Sequence, residues 1–307
     1  MLISHDLIEQ REREGLYNLV VRGAVTEELL QDIKGKEFKS VFLRAGNYPS
    51  LEFLCDIESD IKELVIACDQ VDWESISKLS DLKGLVFDSA YKIDLDFSCF
   101  NSLRTLGFYS GKQIDDSIYN IPSLVSLTIH NWVENDCTKL EKLESLESLR
   151  LYDSRKLENL NGLEKLEKLE GVEIDGARNL TNVDAIGRLS KLKKLFFVGC
   201  KKVESFSSIA NNSELLWLCL TNCNEIDNLQ FVEKLVSLDT FGIKGTTIID
   251  GRLDMLTRLP NLKTCGFINK KHYNLKMKEL KKILEERWGD KINEVDDLWV
   301  APNTYGS

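Results

Sequence analysis

Side chains able to do nucleophilic, acid–base or metal chemistry are sparse in this chain. Its histidines, His5, His130 and His272, lie far apart, with neither metal-ligand nor catalytic-triad spacing, and all three read as surface residues. Of the eight cysteines, Cys219 and Cys223 are spaced closely enough to imitate a redox or zinc pair. Glycine-bearing segments hold no phosphate-binding or dinucleotide fingerprint. The inventory predicts no catalytic residue, no metal site and no cofactor, and the chain reads as a non-enzyme.

What the chain does carry is a rhythm. The pattern Leu-x-x-Leu-x-Leu, or a close apolar variant, reads LESLRL from Leu146, LEGVEI from Leu169, LKKLFF from Leu192 and LLWLCL from Leu215, a period of 23 residues. Laid along the sequence, the phrase starts at Leu16, Phe38, Ile61, Leu82, Leu103, Leu124, Leu146, Leu169, Leu192, Leu215, Leu238 and Leu262. A unit this short cannot bury its own apolar side and must lean on the next. One continuous body over 16–269 is therefore expected, with end covers at 1–15 and 270–307.

Numbering each phrase from its first residue, positions 4 and 6 are apolar, the period of two of a short strand buried on one side. Stacked at about 4.8 Å per coil, such strands form a parallel sheet. The second half of each coil repeats apolar residues every three, as in Leu157, Leu160, Leu163 and Leu166, which suits extended or 3₁₀ turns better than full helices. This register also disposes of the cysteine pair. Cys219 lies between two inward strand residues, and Cys223 falls on the small turn position after the strand, as Cys200 does one coil earlier.

These units resemble leucine-rich repeats, in particular the short class of bacterial internalins and related stand-alone proteins, over residues 16–268. The resemblance implies an α/β right-handed β-α superhelix with a thin convex side of short turns and a concave parallel sheet that binds proteins. It implies no catalytic residue. The family's usual turn asparagine or cysteine is replaced here by Ala90, Gly111, Ser154, Ala177, Cys200, Cys223 and Thr246. In the coil from Leu124 the place falls on Trp132, so Asn131 is expected to take the turn role and Trp132 to be displaced outward. A second irregularity is Pro49–Leu54, which imitates a coil start.

If positions 4 and 6 point inward, positions 3, 5 and 7 project from the concave sheet. In the middle coils they include Tyr109, His130, Arg150, Tyr152, Glu173, Asp175, Lys194, Phe196 and Trp217, to which the displaced Trp132 is added. Aromatics and arginine are the residue types that anchor protein interfaces. Over the whole face, Arg22, Arg44, Arg150, Lys194 and Lys244 oppose Glu63, Asp88, Glu173 and Asp175, a mixture that suits a protein partner and not a nucleic-acid backbone.

A net charge of -10 also disfavours nucleic acid and favours a basic partner. The N-terminal residues lack the apolar core of a secretory signal, no run is long enough to span a membrane, and scattered cysteines read as reduced thiols, so a cytoplasmic monomer is expected. Residues 1–15 read as a short helical cover. At the other end, Leu280, Ile283, Leu284 and Trp288 fall at helical spacing before Gly289 and predict a capping helix. This cap is basic, with eight Lys or Arg against four acids over 270–291, and reads as a solvated helix face. No room is left for a fused catalytic domain. The reading is a protein-binding module, in its narrower form an inhibitor or immunity protein for a toxin or enzyme. The alternative is a scaffold or regulatory subunit, as among phosphatase regulators.

Overall fold

Each of the twelve phrases holds one β-strand in the computed structural model, which describes residues 8–13, 16–56, 61–68, 70–87, 93, 95–110 and 114–289. His5, Asp88, Ala90 and Gly111 lie outside the described residues, as do parts of both predicted end covers. The chain divides between residues 131 and 132 into two compact units.

In the first unit, β1 (Ile8–Arg13) pairs antiparallel with β2 (Leu16–Arg22). The expected helical cover is thus a strand over its described part, and its charged sequence suits a sheet edge that must not recruit a further strand. Parallel to β2 follow β3 (Ser40–Arg44), β5 (Glu63–Ala67), β7 (Gly84–Phe87), β8 (Thr105–Tyr109) and β9 (Ser126–His130). A small second ladder joins β4 (Asn47–Tyr48) to β6 (Gln70–Val71).

The early turns are helical where 3₁₀ turns are expected: α1 (Glu27–Ile33), α2 (Phe53–Asp56) and α3 (Trp73–Ser77). Thr26 and Asp72 cap α1 and α3, their side chains accepting from the Leu29 and Glu74 amides. Phe53 begins α2, so Pro49–Leu54 opens no coil and the phrase register holds.

In the second unit, β10 (Ser148–Tyr152), β11 (Gly171–Asp175), β12 (Lys194–Val198), β13 (Trp217–Thr221), β14 (Thr240–Gly242) and β15 (Thr264–Gly266) pair in parallel and in register. Short 3₁₀ turns return the chain at 138–140, 163–165, 184–188, 207–211, 230–234 and 254–258, as spacings of three predict. Leu149, Leu151, Leu195, Phe197, Leu218 and Leu220, at positions 4 and 6, are fully buried. The predicted cap is α4 (Met277–Trp288), which buries Leu280 and Leu284 and ends at Gly289 with φ 59°. Its Trp288 indole donates to the Leu262 carbonyl at 2.8 Å, and Arg287 donates to Leu259 O at 2.7 Å. The cap thereby occupies carbonyls that the last coil would otherwise leave unpaired.

Two columns turn the chain at the strand ends. At position 8, Asn131, Asp153, Gly176, Gly199, Asn222 and Gly245 all have positive φ, between 51° and 73°. These are the residue types that tolerate the left-handed region. At position 9 Ser154, Ala177, Cys200, Cys223 and Thr246 are buried, and Cys200, Cys223 and Thr246 replace the missing asparagine ladder with weaker donors. Cys223 Sγ donates to Phe197 O at 3.3 Å and Thr246 Oγ1 to Leu220 O at 2.6 Å, each reaching a carbonyl 26 residues back. Trp132 corrects the sequence reading. It is 1% exposed, not displaced outward, and its indole Nε1 donates to the Asp136 carbonyl at 2.9 Å. Asn131 does take the turn, at φ 58°, and donates to Ser110 O at 3.0 Å.

Candidate protein-binding face

Positions 3, 5 and 7 of β10–β13 share the face of the sheet opposite the core. In register they form three rows: Ser148, Gly171, Lys194 and Trp217; Arg150, Glu173, Phe196 and Cys219; Tyr152, Asp175, Val198 and Thr221. Seven of the ten predicted site residues therefore sit together. Tyr109 and His130 are register neighbours in the first unit, where Tyr109 is 45% exposed. The tenth, Trp132, is core.

The first device on this face is an aromatic shelf. Phe196 and Trp217 meet edge to face, with ring centroids 6.4 Å apart, and the Lys194 ammonium lies 5.2 Å from the Trp217 ring centre. Such an arrangement fixes two large rings and a cation without burying them. Phe196 and Trp217 remain half-exposed, and sheet pairing alone gives no reason for large rings there.

The second device is a charge cluster beside the shelf. Glu173 is only 6% exposed, although it stands at an outward position. Its carboxylate lies 3.5 Å from Arg150 Nε and accepts from the Tyr152 hydroxyl. Burial nevertheless pushes its pKa above the ordinary range, against the opposing effects of Tyr152 and Arg150. Asp175 is pushed up as well, by burial and then by the charge of Asp153. Gly171 leaves the space beside Glu173 open, since a Cβ there would meet only Ser148 Oγ at 3.8 Å.

Nothing in this cluster is poised for covalent chemistry. The Cys219 thiol is raised to about 12, chiefly by burial and then by the nearby Glu173 charge, the reverse of what a nucleophile needs. Cys223 points away into its ladder bond, so the two cysteines form no pair. His272 is held between the Ile248 carbonyl at 2.9 Å and the Tyr273 ring. No group of histidines, cysteines and carboxylates among the described residues could hold a metal ion.

Coils of 23 residues, one in-register parallel strand each, 3₁₀ returns and a position-9 ladder together decide the architecture. The chain has the leucine-rich-repeat fold. Among solved structures it is similar to the Toll–Spatzle complex of Drosophila, with a TM-score of 0.53 and 12% identity over 82% of this chain and 36% of that one. It is also similar to an internalin (inlF) of Listeria monocytogenes, with 20% identity, 84% and 88% coverage and a TM-score of 0.49. A Leptospira interrogans leucine-rich-repeat protein matches at 16% identity over 86% of each chain, with a TM-score of 0.43. No protein-family model and no curated protein matches the chain.

The leucine-rich-repeat register also shows what sequence reading missed on this face. Burial of Glu173 follows from its neighbours Arg150 and Phe196, which become adjacent only once coils are stacked. The position-8 column was legible in principle, as Asn, Asp or Gly at one place in six successive coils.

Proposed function

We propose that this leucine-rich-repeat chain is a non-enzymatic module that binds a folded protein on the outward face of its sheet. The observation that carries the reading is the Phe196–Trp217 shelf with Lys194 over it, beside the Arg150–Glu173 pair. Rigid aromatics flanked by charges that can discriminate a partner are the composition of an interface centre. The mixed charge of the face, with Arg150 and Lys194 against Glu173 and Asp175, supports a protein over a nucleic acid. Among the described residues no helix is long and apolar enough to cross a membrane.

In its narrower form the module is a cytoplasmic inhibitor or immunity protein for a basic toxin or enzyme, a reading supported by the net charge of -10. The alternative, a scaffold or regulatory subunit, predicts permanent assembly through a second apolar patch, to which the buried Trp132 does not contribute.

The test is affinity capture from the native lysate with the wild type and with a Tyr152→Ala, Phe196→Ala, Trp217→Ala variant, followed by calorimetry with the purified partner. A basic protein captured by the wild type and weakened by about 2 kcal/mol or more in the variant supports both levels of the reading. Equal affinity for both chains would move the partner off this face, and an acidic partner would end the narrower form.

A further inference from the structure

One row of the first unit's sheet carries hydrocarbon on its outward side. Position 5 reads Val20, Phe42, Val65, Val86, Gly107 and Thr128 across β2, β3, β5, β7, β8 and β9, each the register partner of the next. Phe42, Val65, Val86 and Thr128 are half-exposed. Thr128 shows that a β-branched residue with a hydroxyl serves this place in a strand, so the sheet itself requires neither the Val65 and Val86 methyls nor the Phe42 ring. Gly107 keeps the row flat, since a Cβ there would lie 3.4 Å from Val86 Cγ2.

The two edges of this row differ in charge. On the position-3 side the ionisable group is Glu63, whose carboxylate already accepts from Ser40 Oγ at 2.8 Å. On the position-7 side Arg22 and Arg44 are register partners. Arg44 is exposed and makes no ion pair among the described residues. The coils that follow place Ala67, Tyr109 and His130 along the same edge, and none of them is an acid.

We propose that this row docks an amphipathic helix of another protein, laid across the coils with acidic side chains along the edge that meets Arg22 and Arg44. Spacing selects a helix. Coils repeat about every 4.8 Å and a helix advances about 5.4 Å per turn, so about four turns bring one apolar side chain to each coil from Phe42 to Thr128. An extended segment presents same-side residues about every 6.8 Å and falls out of step within two coils. Charge selects the acids, because the free cation of the row is Arg44 while Glu63 is already engaged. The longer described helices of this chain are unsuited, since α1 buries its own Leu29 and Ile33 and α4 its own Leu280 and Leu284. This surface lies within the first unit and shares no residue with the Phe196–Trp217 shelf, so it stands or falls apart from the function proposed there.

The probe is a synthetic, fluorescein-labelled helical peptide of about 16 residues, with a leucine stripe at i, i+3, i+4 and i+7 and glutamates on both flanks. A control peptide keeps the stripe and carries lysines instead. Fluorescence anisotropy with the full-length chain is expected to show saturable binding of the acid-flanked peptide, about ten-fold tighter than the control. Because the chain's net charge is -10, its overall field favours the lysine peptide, and the opposite preference must come from the local arginines. Val65→Thr with Val86→Thr keeps the β-branched shape and should weaken binding about ten-fold, and Arg44→Glu should abolish the preference for acid. The Tyr152→Ala, Phe196→Ala, Trp217→Ala variant should bind the peptide as the wild type does. No saturable binding, preference for the lysine peptide, equal affinity of the threonine variant, or loss in the Tyr152, Phe196 and Trp217 variant each overturns the proposal.

Discussion

Glu173 and Asn212 are polar residues that the fold buries, and each is compensated incompletely. A carboxyl whose folded pKa lies above its unfolded value holds its proton more tightly when folded. It therefore costs no stability below the ordinary glutamate range, and the cost grows as pH rises through the unfolded and then the folded pKa. Glu173→Gln should accordingly raise the melting temperature near pH 7 by more than it does near pH 4, while keeping an acceptor for the Tyr152 hydroxyl. Thermal melts at the two pH values check this, and a larger gain at the lower pH would contradict the assignment. Asn212 occupies the place held by Leu166, Leu189 and Leu235 in neighbouring coils. Its Nδ2 donates to the Ile186 and Leu189 carbonyls at 3.0 and 2.9 Å, but its buried Oδ1 has no partner. Both carbonyls keep backbone donors, from Leu189 and Leu192, so Asn212→Leu restores the apolar column without orphaning them. It should stabilise the chain by about 1 kcal/mol, the cost of one unsatisfied buried group, as read by denaturant unfolding.

At the scale of the coil, turns and ladders set what can be changed. Gly162 has φ 101°, and a Cβ there would lie 2.6 Å from the Cys137 carbonyl carbon and 2.7 Å from Thr138 Cα. Backbone cannot step aside as a side-chain tip can, so Gly162→Ala should cost about 2 kcal/mol or more, measurable as a shifted urea midpoint with unchanged slope. Thr246→Val keeps the shape and removes a hydroxyl that donates to Leu220 O and accepts from Cys223 N at 3.0 Å. A loss of about 1–2 kcal/mol is expected by the same measurement. The coil was legible in sequence because its signals are local: apolar positions 4 and 6 for the strand, threes for the 3₁₀ return, small residues at position 9. Where reading failed, the cause was not local. Trp132 looked too large for its place because its hydrogen bond to the Asp136 carbonyl, which holds it inside, has no period to reveal it. The early turns α1, α2 and α3 are helical, a difference that apolar spacing alone does not announce. On the candidate face, sequence could place Arg150, Glu173 and Phe196 on one surface, but not show that stacking buries the carboxylate between them.

For the second unit as a whole, stability depends on how its end is closed. The Leu280 and Leu284 side chains and the Trp288 and Arg287 bonds hold α4 against the last coil. Leu284→Asp should detach this cap, expose the β15 edge and increase self-association relative to the wild type in sedimentation velocity. A sedimentation profile unchanged from the wild type would show that the cap is not what protects the edge.

The ladder has an evolutionary corollary. Because Cys223 and Thr246 each reach a carbonyl 26 residues back, and because β10 to β13 recur every 23 residues in perfect register, one coil can be lost or copied without leaving any neighbour a foreign surface. Excision of residues 170–192 would set Arg150 beside Phe196 and bring the two ends of the candidate face closer by one strand spacing, about 4.8 Å. Descendants of such a gene can therefore retune the span of their recognition surface in fixed steps, by unequal recombination, before any contact residue has mutated.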